Sequence, residues 1–216
     1  MTVDAYNPLE KGNLGRSVAA TLLNRPIRQL ADTDGLVGAG VYAIYYTGPF
    51  KPYRPITKAN TEGGFAQPIY VGKAIPKGGR KGGLTNDASS TGTALRSRLN
   101  QHAKSINECG NLALADFHYR ALVVDDFWLP LGENMLIEMF MPAWNRVIDG
   151  FGNKDPGARR AAQFKSPWDT LHPGREHAKK LAEGTLTEKA LRERLAAYCA
   201  GRPVPLIEPT ASDEDS

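Results

Sequence analysis

The sequence predicts a small mixed α/β fold of the α+β kind, a central three-stranded antiparallel sheet flanked by helices. Three short runs rich in β-branched and aromatic residues, "GVYAIYY", "PIYVG" and "DFHYRALVV", alternate with helix-periodic stretches in the order β-β-α-β-α. Three strands cannot bury both faces without helices laid on them, and nothing in that order forces a parallel crossover. The composition agrees, since 216 residues at 41% hydrophobic and 23% charged suit one domain with decorations and a real core.

The elements follow in order. Residues 1–35 read as a helical arm, with Leu14, Val18, Leu22 and Leu23 at helical spacing and Pro26 ending or kinking it. Residues 36–146 hold the core. Its first strand is Gly40–Tyr46, stopped by Gly48-Pro49. A basic, loop-like insertion covers 49–67, and the second strand is 69–71. The stretch 73–92, "KAIPKGGRKGGLTNDASSTG", is too rich in glycine and polar residues for regular structure. Helix is expected over 93–106, strand over 116–124, and helix again over 132–140 before Pro142. Residues 147–216 form a C-terminal extension, mostly loop with aromatic anchors Phe151, Phe164 and Trp168, then a helix over 187–199.

Several function classes are disfavoured. The N-terminus lacks a basic-then-apolar arrangement, so no secretory signal is expected. The longest apolar run, 36–46, is about half of what a bilayer span needs, so no membrane partner is expected. Cys109 and Cys199 stand apart with no CxxC, which argues against a disulfide framework or structural zinc and fits a cytoplasmic protein. Net charge is +4, but it is unevenly placed: residues 51–108 carry ten cations against three carboxylates, and residues 154–180 seven against three. Two basic segments flanking a compact middle suit a phosphate backbone, although solvated loops also carry such charge.

Within the core, a few polar residues sit where apolar ones are expected. Leu95, Leu99 and Ile106 define the buried stripe of the first core helix, and Arg98 and His102, four apart, fall in or beside it. Either they line a cavity or they flank the core and snorkel outward. On the second core helix Glu133 shares a face with Leu136, Ile137 and Phe140, whereas Glu138 lies on the polar side. Glu133 could also simply complement the helix dipole. If one of the two binds a metal, the pattern favours Glu133, and a single hard carboxylate suits magnesium. Tyr42 and Tyr70 adjoin glycines, which permit close approach by a ligand or another backbone; the plain alternative is core tyrosines with satisfied hydroxyls. A phenol acts as a base only with positive charge nearby, which Lys73 and Arg98 could supply.

Taken together, Gly40-Val41-Tyr42, Tyr70-Val71-Gly72, Arg98, Glu133 and Asn145 beyond Pro142 resemble the pattern of the GIY-YIG nucleases. The resemblance implies a three-stranded antiparallel sheet with flanking helices, one metal ion held by Glu133, and hydrolysis of a phosphodiester by an activated water. It implies Tyr42 as general base, Tyr70 and Lys73 orienting the water, and Arg98 with His102 holding the scissile phosphate. Asn145 would fix the site by hydrogen bonds. The cofactor implied is Mg2+, with Mn2+ as a substitute. The motifs are usually a short turn apart, whereas here some 27 residues lie between Tyr42 and Tyr70. With that insertion, "GVYAIYYTG", "PIYVGKA", "PAWNRVIDGFGN" and "SPWDTLHPGRE" are similar to the type II restriction endonucleases of this family that cut the palindrome CCGCGG, over roughly residues 38–180.

That subgroup implies double-stranded DNA as substrate, a homodimer on a two-fold site, and a cognate DNA methyltransferase in the same host. Guanines in a G·C-rich site are read by arginine or lysine in the major groove. The candidates are Arg54 and Lys58 in the insertion, Lys77, Arg80 and Lys81 in the glycine loop, and Arg159, Arg160 and Lys165 beyond the core. The N-terminal arm and C-terminal helix are candidate dimer elements. Two other readings stand beside this one. A structure-selective or mobile-element GIY-YIG nuclease commonly carries a separable DNA-binding domain, for which no room is expected after Lys180. A non-catalytic nucleic-acid binder would not need every catalytic-type residue.

Overall fold

The centre of the fold is the run Gly40–Tyr46, every residue of which is buried. This first long strand, β2, pairs antiparallel with Pro68–Ala74 (β3) on one side and with Phe117–Val123 (β4) on the other. The computed structural model describes residues 7, 9–75, 92–125, 128–153 and 164–207. The sheet has four strands rather than the expected three: Arg28–Gln29 (β1) pairs antiparallel with β4, giving the order β1-β4-β2-β3. This extra strand is two polar residues long and carries no side-chain period, so only its main-chain pairing identifies it.

Both faces of β2 are covered. Tyr42, Ile44 and Tyr46 point into a cluster with Leu95, Leu99 and Ile106 of helix Ala94–Asn107 (called α3), completed by Trp144, Phe151 and Trp168. Val41, Ala43 and Tyr45 point the other way, against Ala19 and Leu22 of helix Lys11–Leu23 (α1) and Leu136 and Ile137 of helix Leu129–Phe140 (α4). Helix α1 of the N-terminal arm therefore packs into the core. Its Gly15 lies so close to α4 that an added Cβ would fall 2.2 Å from Met135 Cγ.

The insertion is not a loop. After a 3-10 turn at Lys51–Tyr53 it forms helix Arg54–Glu62 (α2), with Pro52 and Pro55 in first-turn positions that tolerate the missing N–H. It is stitched to the sheet: buried Asn60 donates from Nδ2 to the Tyr46 carbonyl at 2.9 Å and accepts from the Gln67 N–H at 2.9 Å. Tyr53 joins a buried chain in which Trp144 Nε1 donates to its hydroxyl at 2.7 Å and its hydroxyl bonds His172 Nε2 at 2.6 Å. Burial pulls the His172 imidazole down to about 3, so it is neutral, and its Nδ1 meets Asn111 Oδ1 at 2.9 Å. Each buried polar group in that chain has a partner, as a core requires.

Three short or terminal helices complete the described chain: Ala143–Arg146 (α5), Pro167–Leu171 (α6) and Glu188–Cys199 (α7). The α4 helix ends with Met141 in a left-handed conformation at φ 45, immediately before Pro142. Thr187 caps α7 by accepting from the Ala190 N–H. No helix among the described residues is long and apolar enough to cross a membrane.

Candidate active site

Two glycines of the strand motifs are there because side chains and backbone crowd them. A Cβ on Gly72 would lie 2.4 Å from the Tyr42 hydroxyl and 3.1 Å from Tyr70 Cε1, so this glycine leaves the space the two tyrosines use. A Cβ on Gly40 would sit 2.0 Å from the Leu122 carbonyl oxygen of the neighbouring strand. Strand alternation then puts Tyr42 and Tyr70 on the α3 face, ring centroids 6.3 Å apart.

On that face α3 brings its two polar residues to the tyrosines. The Tyr42 hydroxyl and His102 Nε2 share a buried hydrogen bond of 2.7 Å. Burial, reinforced by the charges of Arg98 and Arg175, holds the His102 imidazole well below its usual range, so it is neutral. His102 is thus engaged with Tyr42 while lining the same cleft as Arg98. Its ring stacks on Phe151 at 4.5 Å and 17°. Tyr42 is fully buried, whereas Tyr70 and Arg98 each keep 8% exposure. The Arg98 guanidinium donates from Nη1 to Gln101 Oε1 and from Nη2 to the Gly152 carbonyl, both at 3.0 Å. It lines a cleft of about 280 Å³ that also involves His102, Phe151 and Gly152.

The other expected residues lie around β3. Lys73 pairs across the sheet with Val41 and so faces α4, where its Nζ meets Glu133 Oε2 at 2.7 Å. The pair is largely buried, with side-chain exposures of 12% and 11%. Asn145 clamps the β3 backbone, accepting from the Val71 N–H and donating to the Val71 carbonyl, both at 2.8 Å. The structure therefore brings the residues together as two sets on opposite faces of β3: Tyr42, Tyr70, Arg98 and His102 on one, Lys73 and Glu133 on the other. Asn145 holds the strand between them.

These groups supply a tyrosine–histidine proton couple, a largely buried guanidinium on the cleft wall able to neutralise an oxyanion, and a carboxylate beside an ammonium. Among the described residues no group of three or more His, Cys, Asp or Glu side chains comes together. One carboxylate as the protein's donor fits a hard divalent cation that keeps most of its waters.

Of the expected DNA-facing residues, Arg54 and Lys58 lie exposed on α2, and Lys58 makes only a loose 3.8 Å contact with Glu62. Lys165 is half-buried and paired with Glu183 at 2.5 Å. Lys77, Arg80, Lys81, Arg159 and Arg160 lie outside the described residues.

The sequence reading missed Gly152, Asp169 and Arg175. A Cβ on Gly152 would lie 2.9 Å from the Tyr70 hydroxyl and 3.2 Å from Arg98 Nη2. Arg175, 1% exposed, makes a bidentate bond to Asp169, 4% exposed, at 2.6 and 2.7 Å. A buried arginine carries no periodic signal; only the pairing of opposite charges six residues apart within "WDTLHPGR" hinted at it.

A family model described as the Eco29kI GIY-YIG domain matches residues 34–199 of this chain. No curated protein matches it.

Proposed function

We propose that this chain, which belongs to the Eco29kI GIY-YIG family, is a type II restriction endonuclease that cuts both strands of a G·C-rich palindrome, CCGCGG. Membership makes it a GIY-YIG restriction-type endonuclease acting on DNA; the target, the metal and the residue roles are our reading. The observation that carries it is the cluster on one face of β3, where the Tyr42–His102 bond lies beside Tyr70 and the Arg98-lined cleft.

In this reading Glu133 would hold one Mg2+, for which Mn2+ would substitute, and the bound ion would supply charge stabilisation at the phosphate and acidify a water. Arg98 binds the scissile phosphate and neutralises the charge that develops on it. Tyr42 is the general base. It takes the proton of the attacking water as its own hydroxyl proton passes along the 2.7 Å bond to His102 Nε2. That transfer uses the tautomer in which Nε2 is unprotonated. Tyr70 and Lys73 orient the water, and Asn145 keeps β3 in place between the two sets.

The palindrome requires two sites related by a dyad, hence a homodimer on the DNA. Arg54 and Lys58, together with Lys77, Arg80, Lys81, Arg159, Arg160 and Lys165, would supply phosphate and base contacts. A host that carries such an enzyme needs a DNA methyltransferase that marks the same sequence.

The test is to incubate the purified protein with unmethylated phage DNA and magnesium and to sequence every fragment end. The expected result is discrete fragments whose ends all fall in CCGCGG. Ends at another shared palindrome would replace the target but keep the enzyme class. A smear without common ends, or no cutting, would overturn the restriction reading.

A further inference from the structure

Arg175 spends its whole guanidinium on one turn and one carboxylate. Its Nε donates to Asp169 Oδ1 at 2.6 Å, and its Nη2 donates to Asp169 Oδ2 at 2.7 Å and to the Gly150 carbonyl at 2.8 Å. Its Nη1 donates to the carbonyls of Phe151 and Asn153, both at 3.2 Å. All five N–H donors are thereby used, and the group lies 4.6 Å over the Trp168 ring. Asp169 is itself oriented, since the Ser166 hydroxyl donates to its Oδ2 at 2.7 Å and accepts from its N–H at 3.1 Å.

Three of the four carbonyls in the turn 150–153 are therefore drawn onto Arg175. The fourth, of Gly152, accepts from Arg98 Nη2 at 3.0 Å. The same turn packs Phe151 flat on His102 and edge-on to Tyr70, centroids 5.0 Å apart. It leaves no room for a side chain at Gly152, where a Cβ would come within 2.9 Å of the Tyr70 hydroxyl and 3.2 Å of Arg98 Nη2. The turn's own backbone depends on Gly150, at φ 104, where a Cβ would strike Ser166 at 2.2 Å. A buried ion pair is weak support for stability as such, because desolvation offsets much of the attraction. Here its consequence is geometric, in that it sets the height and orientation of the carbonyl that anchors Arg98.

We infer that Arg175, oriented by Asp169, is a positioning residue for Arg98 and Tyr70, acting through the turn 150–153. The inference rests on the reading of Arg98 as the phosphate-binding cation. Arg175 is 1% exposed with every donor engaged, and a lysine in its place keeps a charge but loses the fork that collects the carbonyls.

The test is a double-mutant cycle on the full chain, using R175K, R98K and the pair. Single-turnover cleavage is measured with magnesium, DNA affinity by anisotropy with calcium in its place, and folding by thermal melting. R175K is expected to cut roughly 10- to 100-fold more slowly, the scale of a displacement of about 1 Å in a catalytic group, with DNA affinity within about threefold of wild type. In the R98K background, R175K is expected to cost little more, because its effect runs through Arg98. Costs that multiply in the pair would mark a merely structural role and overturn the inference, as would an R175K that cuts at the wild-type rate. Should R175K fail to fold, D169N decides, since it loosens the orientation of Arg175 without touching Tyr70 or Arg98. A slowed D169N with intact affinity supports the inference, and a wild-type rate overturns it. If R98K itself cuts normally, the reading of Arg98 fails, which is a distinct result.

Discussion

Tyr42 owes its position to absent atoms as much as to present ones. It is fully buried, it reaches across the space left by Gly72, and its hydroxyl bonds a histidine that burial keeps neutral. Phenylalanine at 42 preserves the ring packing and removes only the oxygen. Y42F is therefore expected to bind DNA within about threefold of wild type while single-turnover cleavage falls by roughly 10²- to 10⁴-fold, the usual contribution of a positioned acid or base. Comparing cleavage with magnesium and binding with calcium separates the two effects, and normal turnover would remove Tyr42 from the chemistry. At this scale the sequence was informative where a polar residue broke an apolar stripe. Arg98, His102 and Glu133 announced themselves that way, and all three are buried at 8% or less. Arg175 and Gly152 did not, because a turn has no period against which an exception could show.

Elements were legible in proportion to how far packing, and not pairing, dictates their residues. The strand β2 is covered on both faces, so every position is apolar, aromatic or glycine and its limits were read correctly as Gly40–Tyr46. By contrast, β1 is only two polar residues at an edge, and α2 hides behind two prolines that usually signal loop but here occupy first-turn positions. The motif glycines separate two kinds of crowding and two expected outcomes. G40A drives a Cβ against the Leu122 carbonyl oxygen, which is sheet backbone and cannot yield, so it is expected to cost roughly 3 kcal/mol or more of stability. G72A meets the ring and hydroxyl of Tyr42 instead. It is expected to retain the fold at a cost of about 1–3 kcal/mol and to lose cleavage about 10²-fold by shifting Tyr42 from His102. Urea melts with parallel cleavage assays check both. A G72A that cuts normally would show that the tyrosine's placement is not needed.

For the whole molecule, the proposed chemistry is one-sided and the proposed target is not. Each chain carries one Tyr42–His102 couple and one Lys73–Glu133 pair flanking β3, so one chain offers one strand one cut. The proposed palindrome would present the same phosphate twice, related by a two-fold axis, and two copies of this chain would meet it with two equivalent sites. The division of labour can be exposed by inactivating one copy. Glu133→Gln keeps the size of the side chain while removing the charge that a divalent cation needs. Its homodimer is expected to bind the target and leave it intact. Heterodimers of wild type and E133Q, co-expressed with different affinity tags and purified through both, are expected to nick one strand of a supercoiled plasmid bearing a single site. They should accumulate open circles where the wild-type dimer yields linear DNA, since the inactive half cannot borrow its partner's carboxylate. Gel analysis of the two topological forms over time reads the result directly. Linear product formed by heterodimers at the wild-type rate would mean that one active site cuts both strands, and the two-site arrangement would have to be abandoned.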